Sequence, residues 1–301
     1  MAKILVTGGA GFIASHIVDK YIADGHSVVV VDNLLTGKKE NVNKKAKFYE
    51  ADIKNKEAID KIFAEEKPEI VNHHAAIAEV VKSLRNPIPT FETNLLRTIN
   101  LLIAGQNNGV KKIIFASTGG AIYGEAKKIP ADEKTPEIPL SPYGFSKLLG
   151  EQVIKFYSRL GDFKYLIFRY PNVYGPRQNP KGEAGVVAIF TDLIKNKKTP
   201  TIFGDGAKAR DYVHVDDIVS ANILALEKGE GEIINLGSKE ATTDQEVFDT
   251  IALALKNNIK CRYAPYRIGE VYKISLDNKK AQKVLGWKPK ISFQEGVKNY
   301  I

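Results

Sequence analysis

Residues 3–16 read KILVTGGAGFIASH: a short apolar run, a turn rich in glycine, and the start of a helical pattern. Ile4, Leu5 and Val6 are consecutive and apolar, as in a strand covered on both faces, so Lys3–Thr7 is expected to be a buried parallel strand. Gly8, Gly9 and Gly11 permit a tight turn and a close approach of backbone to a ligand. With Ala14 they form G-x-G-x-x-A between that strand and a helix expected over Ile13–Asp24. The free N–H groups and positive dipole end of such a helix suit a pyrophosphate. Ser27–Asp32 (SVVVVD) is a second all-apolar strand, and it ends on a carboxylate. Asp32 at that place can accept both ribose hydroxyls of a dinucleotide and would repel a 2′-phosphate, which favours NAD over NADP. Asn33 stands beside it, and Asp52, at the end of a third strand over Lys47–Ala51, can accept from an adenine amino group.

Outward from this unit the alternation continues. A helix is expected over Lys54–Glu66, a strand over Glu69–His73, a long helix over Pro89–Asn107, a strand over Lys112–Ser117, a long helix over Ser141–Leu160 and a strand over Tyr165–Tyr170. Strands alternating with helices give a parallel sheet with right-handed crossovers. After residue 171 the rhythm breaks into Pro- and Gly-containing stretches around a helix at Val186–Lys195. A helix follows at Asp216–Glu227 and a late strand at Glu232–Leu236. The expected fold is therefore α/β: a doubly wound parallel-sheet Rossmann domain over 1–171, with 213–238 returning to it, and a smaller mixed α/β substrate lobe over 172–301.

The 301 residues suffice for a large core, and 44% hydrophobic with 26% charged is an ordinary globular balance. No run of eighteen apolar residues suggests a membrane span. The lone thiol, Cys261, makes no internal disulfide and suits a reducing cytoplasm. No Cys/His cluster has ligand spacing, so no metal is expected. The net charge of +9 comes from dispersed lysines, which fits an anionic small-molecule substrate better than nucleic acid.

Tyr143 and Lys147 stand at i and i+4, one turn apart on the same helical face. Tyrosine is a weak base at neutral pH, and a neighbouring ammonium stabilises its phenolate. The pair therefore offers a group that takes a hydroxyl proton while hydride leaves the same carbon. The fifth strand ends in Ala116-Ser117-Thr118-Gly119-Gly120, where a hydroxyl can hydrogen-bond the reacting oxygen. His73 and His74, at the end of the fourth strand, are read as packing or capping groups.

TGGAGFIASH, VDNLLTG, ADI at Ala51, TNLLRTIN, ASTGGAIYG, YGFSK, RYPNVYGPRQ, GVVAIF, IFGDG, RDYVHVDD and RIGE follow one another in this order. From Ile4 to about Trp287 the chain thus resembles the extended short-chain dehydrogenase/reductases, and among them the UDP-glucose 4-epimerases and their close relatives. The resemblance implies that Phe12, Ile13, Asp32, Asn33, Asp52, Ile53, Ala75, Asn94, Tyr143, Lys147 and Pro171 line an NAD site behind the turn of Gly8 and Gly11. It implies that Asn172, Arg210 and Arg267 hold a UDP diphosphate, with Val186, Thr201 and Phe203 near the uridine. A guanidinium fork matches phosphate oxygens on independent grounds. Two positions depart from the pattern. Gly119 stands four residues before Tyr123, where relatives often carry a catalytic Ser or Thr, so Thr118 is the expected substitute and Ser117 the second choice. Pro171 stands where many relatives have Phe.

The implied activity is NAD-dependent 4-epimerisation of a UDP-hexose, UDP-glucose/UDP-galactose first, through a transient 4-keto sugar. A 4,6-dehydratase would need an acid and a base after Thr118, where two glycines stand. A decarboxylase or epimerase acting on UDP-glucuronate is a further alternative. A non-catalytic NAD sensor needs no Tyr–Lys pair. Relatives pair their two long helices across a subunit contact, so a homodimer is expected.

Overall fold

The structure is a computed structural model, and it describes residues 1–181 and 185–301. Seven parallel strands form the central sheet: β1 (Lys3–Thr7), β2 (Ser27–Asp32), β3 (Lys47–Glu50), β4 (Ile70–His73), β5 (Lys112–Thr118), β6 (Lys164–Tyr170) and β7 (Glu232–Asn235). Their order across the sheet is β7-β6-β5-β4-β1-β2-β3. The chain winds outward from β1 in one direction and then from β4 in the other. The reversal lies between β1 and β4, and a crevice opens there beyond the carboxyl ends of the strands.

Alternation along each strand supplies two cores. Ile4, Val6, Val28, Val30, Ile114 and Phe168 face one side, against the helices Phe12–Ala23 and Val215–Leu224. Leu5, Val29, Val31, Ile113, Phe115 and Ile167 face the other, against Lys56–Glu66, Arg97–Asn107 and Pro142–Leu160. Burial of β1 and β2 on both faces accounts for their unbroken apolar sequence. A third apolar cluster, around Tyr174, Phe190, Ile202, Tyr212, Phe248 and Phe293, forms the core of the smaller lobe. Its strand pieces are short: Asn172–Tyr174 pairs with Tyr212–His214, Thr201–Phe203 with Arg262–Ala264, and Ala209–Arg210 with Thr242–Thr243.

The expected long helix Pro89–Asn107 is three pieces: Ile88–Phe91, a widened π turn at Glu92–Leu96, and Arg97–Asn107. The reason is side-chain competition with the helical ladder. Asn94, at the π turn, is drawn to Ile77, whose N–H it accepts at 2.8 Å and whose carbonyl it donates to at 2.9 Å, and Thr98 Oγ1 donates to the Asn94 carbonyl at 2.8 Å. A six-residue helix at Val80–Arg85 has no counterpart in the sequence reading, being too short to show a period. β5 runs one residue further than expected, to Thr118, which sets that side chain at the strand's carboxyl end.

Among the described residues, no helix is long and apolar enough to cross a membrane.

Candidate active site

The first glycine turn is closed from both sides. Gly8 has φ +72°, and a Cβ there would lie 2.8 Å from the Ala75 backbone nitrogen; one on Gly9 would lie 2.7 Å from Val30 Cγ1. Gly11 caps the helix Phe12–Ala23 with no side-chain hydrogen bond, so the first-turn N–H groups face outward unmasked. Asp32 is buried and clips this turn: Oδ2 accepts from Ala10 N at 3.0 Å and Oδ1 from Leu34 N at 2.8 Å. Each oxygen keeps a lone pair for a ribose hydroxyl. Asn33 Nδ2 donates to Asp52 Oδ2 at 2.9 Å, which ties the ends of β2 and β3 into one polar rim. A glycine cradle that any Cβ would fill, an uncapped helix end and a carboxylate on the second strand fit a dinucleotide with its pyrophosphate at Gly11.

Beyond this cradle lies a cleft of ≈ 480 Å³. Phe12, Ile13, His74, Thr118, Tyr143 and Lys147 line it toward the sheet, and Asn172, Val186, Thr201, Phe203, Arg210 and Arg267 toward the smaller lobe. Ser117 and Pro171 also reach its wall. Gly8, Gly11, Asp32, Asn33, Asp52, Ile53, Ala75 and Asn94 stand outside this cleft, around the cradle and behind it. Ile53 is packed in the apolar core. Asn94 is buried, and its amide is already shared between Ile77 and Ser146 Oγ, so it fixes the loop after β4 from behind.

Successive turns of the helix Pro142–Leu160 grip three successive residues of β5. Lys147 Nζ donates to the Ala116 carbonyl at 2.8 Å, Glu151 accepts from Ser117 Oγ at 2.5 Å, and Tyr143 stands beside Thr118 in the cleft wall. This separates the two candidate hydroxyls. Thr118 shares the cleft with the phenol, whereas Ser117 is committed to Glu151, which Arg169 holds through two nitrogens in a fully buried ion pair. A Cβ at Gly119 would lie 2.3 Å from Leu276 Cδ1, so a hydroxyl-bearing side chain there would require Leu276 to move.

Electrostatics correct one expectation. Burial pushes the Tyr143 phenol up to about 12, and the neighbouring Thr118 opposes that rise; Lys147 is not among the groups that lower it. Burial also pulls Lys147 itself down to about 7, with Glu151 favouring its charged form. Proximity on one helical face thus does not by itself supply a fully charged ammonium; desolvation takes much of that charge away. His73 is spent on Thr7 Oγ1 and Thr98 Oγ1, at 2.6 and 2.9 Å. His74 touches the cleft, meets the Tyr170 hydroxyl at 3.1 Å, and is held neutral by burial at about 3.

At the far end, Arg267 stacks over the Phe203 ring at 3.6 Å and lies 3.7 Å from Glu270. Arg210 Nη1 donates to the Ala209 and Tyr272 carbonyls, at 2.9 and 3.1 Å, which aims its fork without using it up. This end is positively charged and bounded by an aromatic ring, as a nucleoside diphosphate requires.

Residues 4–237 match the family model described as the NAD dependent epimerase/dehydratase family. The chain belongs to this epimerase/dehydratase family. It is 40% identical to the UDP-glucose 4-epimerase of Mycolicibacterium smegmatis, over 98% of this chain and 96% of that one. The crystal structure of Thermotoga maritima UDP-glucose 4-epimerase with UDP-glucose superposes with TM-score 0.97 at 48% identity, covering 99% of this chain and 97% of the other. That of the Thermus thermophilus UDP-glucose 4-epimerase in complex with NAD gives 0.96 at 44% identity, again covering 99% and 97%.

Within this epimerase/dehydratase site, the sequence reading missed three parts. Lys208, in the GDGAKARD stretch, lines the cleft, nearly buried, and is held by Glu270 at 2.6 Å and Asp244 at 3.3 Å. Its only signal was a lysine two residues before Arg210, in a chain full of lysines. Gly37 and Lys38 fold back over the glycine turn, with Lys38 N donating to the Ala10 carbonyl at 3.0 Å. A Cβ at Gly37 would lie 3.0 Å from Asp32 Oδ1. Ala78 and Val80 form part of the wall and belong to the stretch that held no recognised element.

Proposed function

We propose that this protein is a UDP-glucose 4-epimerase, interconverting UDP-glucose and UDP-galactose with NAD as resident cofactor. The observation that carries the reading is Tyr143 beside Thr118 at the sheet end of a cleft whose other end holds Arg210 and Arg267. NAD bound in the glycine cradle supplies the acceptor and donor of hydride for the sugar's C4. Tyr143 takes the proton from the 4-hydroxyl and later returns it. Thr118 holds the reacting oxygen, and Lys147, whose charge burial has weakened, lines the cleft one turn along the same helical face. Arg210 and Arg267 keep the diphosphate anchored while the 4-keto sugar turns its other face to the cofactor. Acid–base help of this kind contributes about 10²–10⁴-fold.

The test is incubation of the purified protein with UDP-glucose, UDP-galactose, their N-acetyl derivatives and UDP-glucuronate, without added NAD, followed by separation of products. Interconversion of the first two at constant mass is expected. Loss of water or of carbon dioxide would assign a dehydratase or a decarboxylase instead. Tyr143→Phe is expected to lower kcat by about 10³-fold, within the range known for a lost acid–base group.

The protein is further proposed to be a homodimer. Leu96, Phe145, Phe156 and Leu160 are exposed apolar side chains on the helix Pro142–Leu160 and at the π turn, as on a surface that a second copy covers. Sedimentation should give twice the monomer mass, and Phe156→Glu should give one monomer mass. The lone, unpaired Cys261 fits the cytoplasm as its place of action.

A further inference from the structure

The helix that carries Tyr143 begins with donors that need partners. Pro142 stands in its first turn and has no N–H. The N-cap Ser141 accepts from Gly144 N through its hydroxyl at 3.1 Å, and its carbonyl accepts from Phe145 N at 2.9 Å. One donor remains, the backbone N–H of Tyr143 itself, and the cap does not reach it. It donates instead to Ser83 Oγ at 3.2 Å, sixty residues away in the chain. Ser83 Oγ in turn donates to the Val80 carbonyl at 2.7 Å. The hydroxyl is thus a two-ended bridge between the helix Val80–Arg85 and the first turn of the catalytic helix.

Ser83 has no exposed surface, so its loss takes from the Tyr143 N–H a buried partner. Both ends of the bridge belong to the cleft, since Val80 and Tyr143 line it. The next residue, Leu84, packs its Cδ1 where a Cβ on Gly269 would stand, 2.3 Å away. Gly269 lies in the Arg267–Glu270 stretch of the smaller lobe, so the helix Val80–Arg85 is wedged between that lobe and the catalytic helix. On the other side the first turn rests on Ala121, whose carbonyl lies 2.5 Å from a would-be Cβ on Gly144. The Tyr143 backbone is therefore set by a cap, a floor and a bridge. Only the bridge is a single side-chain atom from outside the motif.

We infer that Ser83 is a positioning residue for Tyr143: its buried hydroxyl fixes the Tyr143 backbone so that the phenol meets Thr118 and the sugar 4-hydroxyl at reacting distance. This rests on Tyr143 being the acid–base group. Ser83 touches neither that phenol nor the sugar. A misplacement of about 1 Å from a distant change costs on the order of 10²-fold in rate, so loss of the bridge should be read in turnover and not in binding.

The experiment compares wild type, Ser83→Ala, Ser83→Thr and Tyr143→Phe, each purified with its bound NAD, whose amount is measured. For Ser83→Ala we expect kcat per NAD-loaded site to fall about 10-fold, with KM for UDP-glucose within about 2-fold and NAD occupancy and Tm near wild type. The acid limb of its kcat–pH profile should move to higher pH, as for a phenol less well held by its neighbours. Ser83→Thr keeps the hydroxyl and should recover most of the rate. Unchanged kcat per loaded site in Ser83→Ala, or a loss confined to Tm and occupancy, would overturn the inference and leave Ser83 purely structural. A Thr variant as slow per loaded site as the Ala variant, yet equally stable, would overturn it too. Retention of rate by Tyr143→Phe would instead sink the reading beneath it, and is separately visible.

Discussion

Tyr143 and Lys147 stand one turn apart on the helix Pro142–Leu160 and line the cleft together with Thr118. Thr118 is the hydroxyl that the sequence offers in place of Gly119, with Ser117 second; the crowding of Gly119 by Leu276, far along the chain, is not written in any local pattern. Thr118→Val is expected to lower kcat by about 10²-fold, as for loss of a hydrogen-bond donor at the reacting oxygen, while Ser117→Ala should leave KM and the pH profile in place. Adding the more usual hydroxyl, Gly119→Ser, should fail to rescue Thr118→Val, and should cost about 1–3 kcal/mol of stability by overpacking against Leu276. Thermal melts and turnover of the double variant check both statements. Lys147 offers a test of sign. Its folded-state value, about 7, lies below the 10.5 of an ordinary lysine, so between those values the unfolded chain binds the proton and the folded chain does not. Lys147 therefore destabilises the fold most below pH 7, and stability rises with pH through that window. Lys147→Met should be inactive, and its Tm relative to wild type should be higher at pH 6 than at pH 9.

Among the elements, buried parallel strands were the most readable, because covering both faces leaves the run Val28–Val31 no room for a polar residue. Helix integrity was less so. The stretch 88–107 keeps a helical period throughout, yet its ladder widens where Asn94 bonds to Ile77, a tertiary contact that no local pattern announces, and where Thr98 Oγ1 bonds back to the Asn94 carbonyl. The loop after β4 depends on that break. Asn94→Leu should loosen it and weaken NAD retention, seen as a larger fraction of cofactor-free protein after gel filtration, with the affinity for UDP less affected. The Arg267 stretch works the other way. Its guanidinium lies on Phe203, far from the phenol, so Arg267→Ala should raise KM for UDP-sugars about 10-fold, the worth of one charge-assisted hydrogen bond, with kcat nearly unchanged. Steady-state kinetics separate these two cases.

For the molecule as a whole, the doubly wound parallel sheet followed from alternating strands and helices with right-handed crossovers. What no pattern revealed is how the smaller lobe returns. Leu276 is fully buried, its nitrogen donates to Asp211 Oδ2 at 2.9 Å, and Ala131 pairs with it in an isolated bridge. Its side chain and carbonyl fill the space that Gly119 and Gly237 leave empty. Burial pushes Asp211 up to about 6 even though Ser238 and Leu276 donate to it, so this knot is itself under electrostatic tension. The residue that crowds Gly119 is thus a stitch drawn from the far end of the polypeptide through the floor of the catalytic centre. A gene fragment ending at Pro171 would make a sheet without its edge strand and a hole where that stitch belongs. The two halves should then unfold together in a calorimeter, as one transition, and neither should survive being expressed alone.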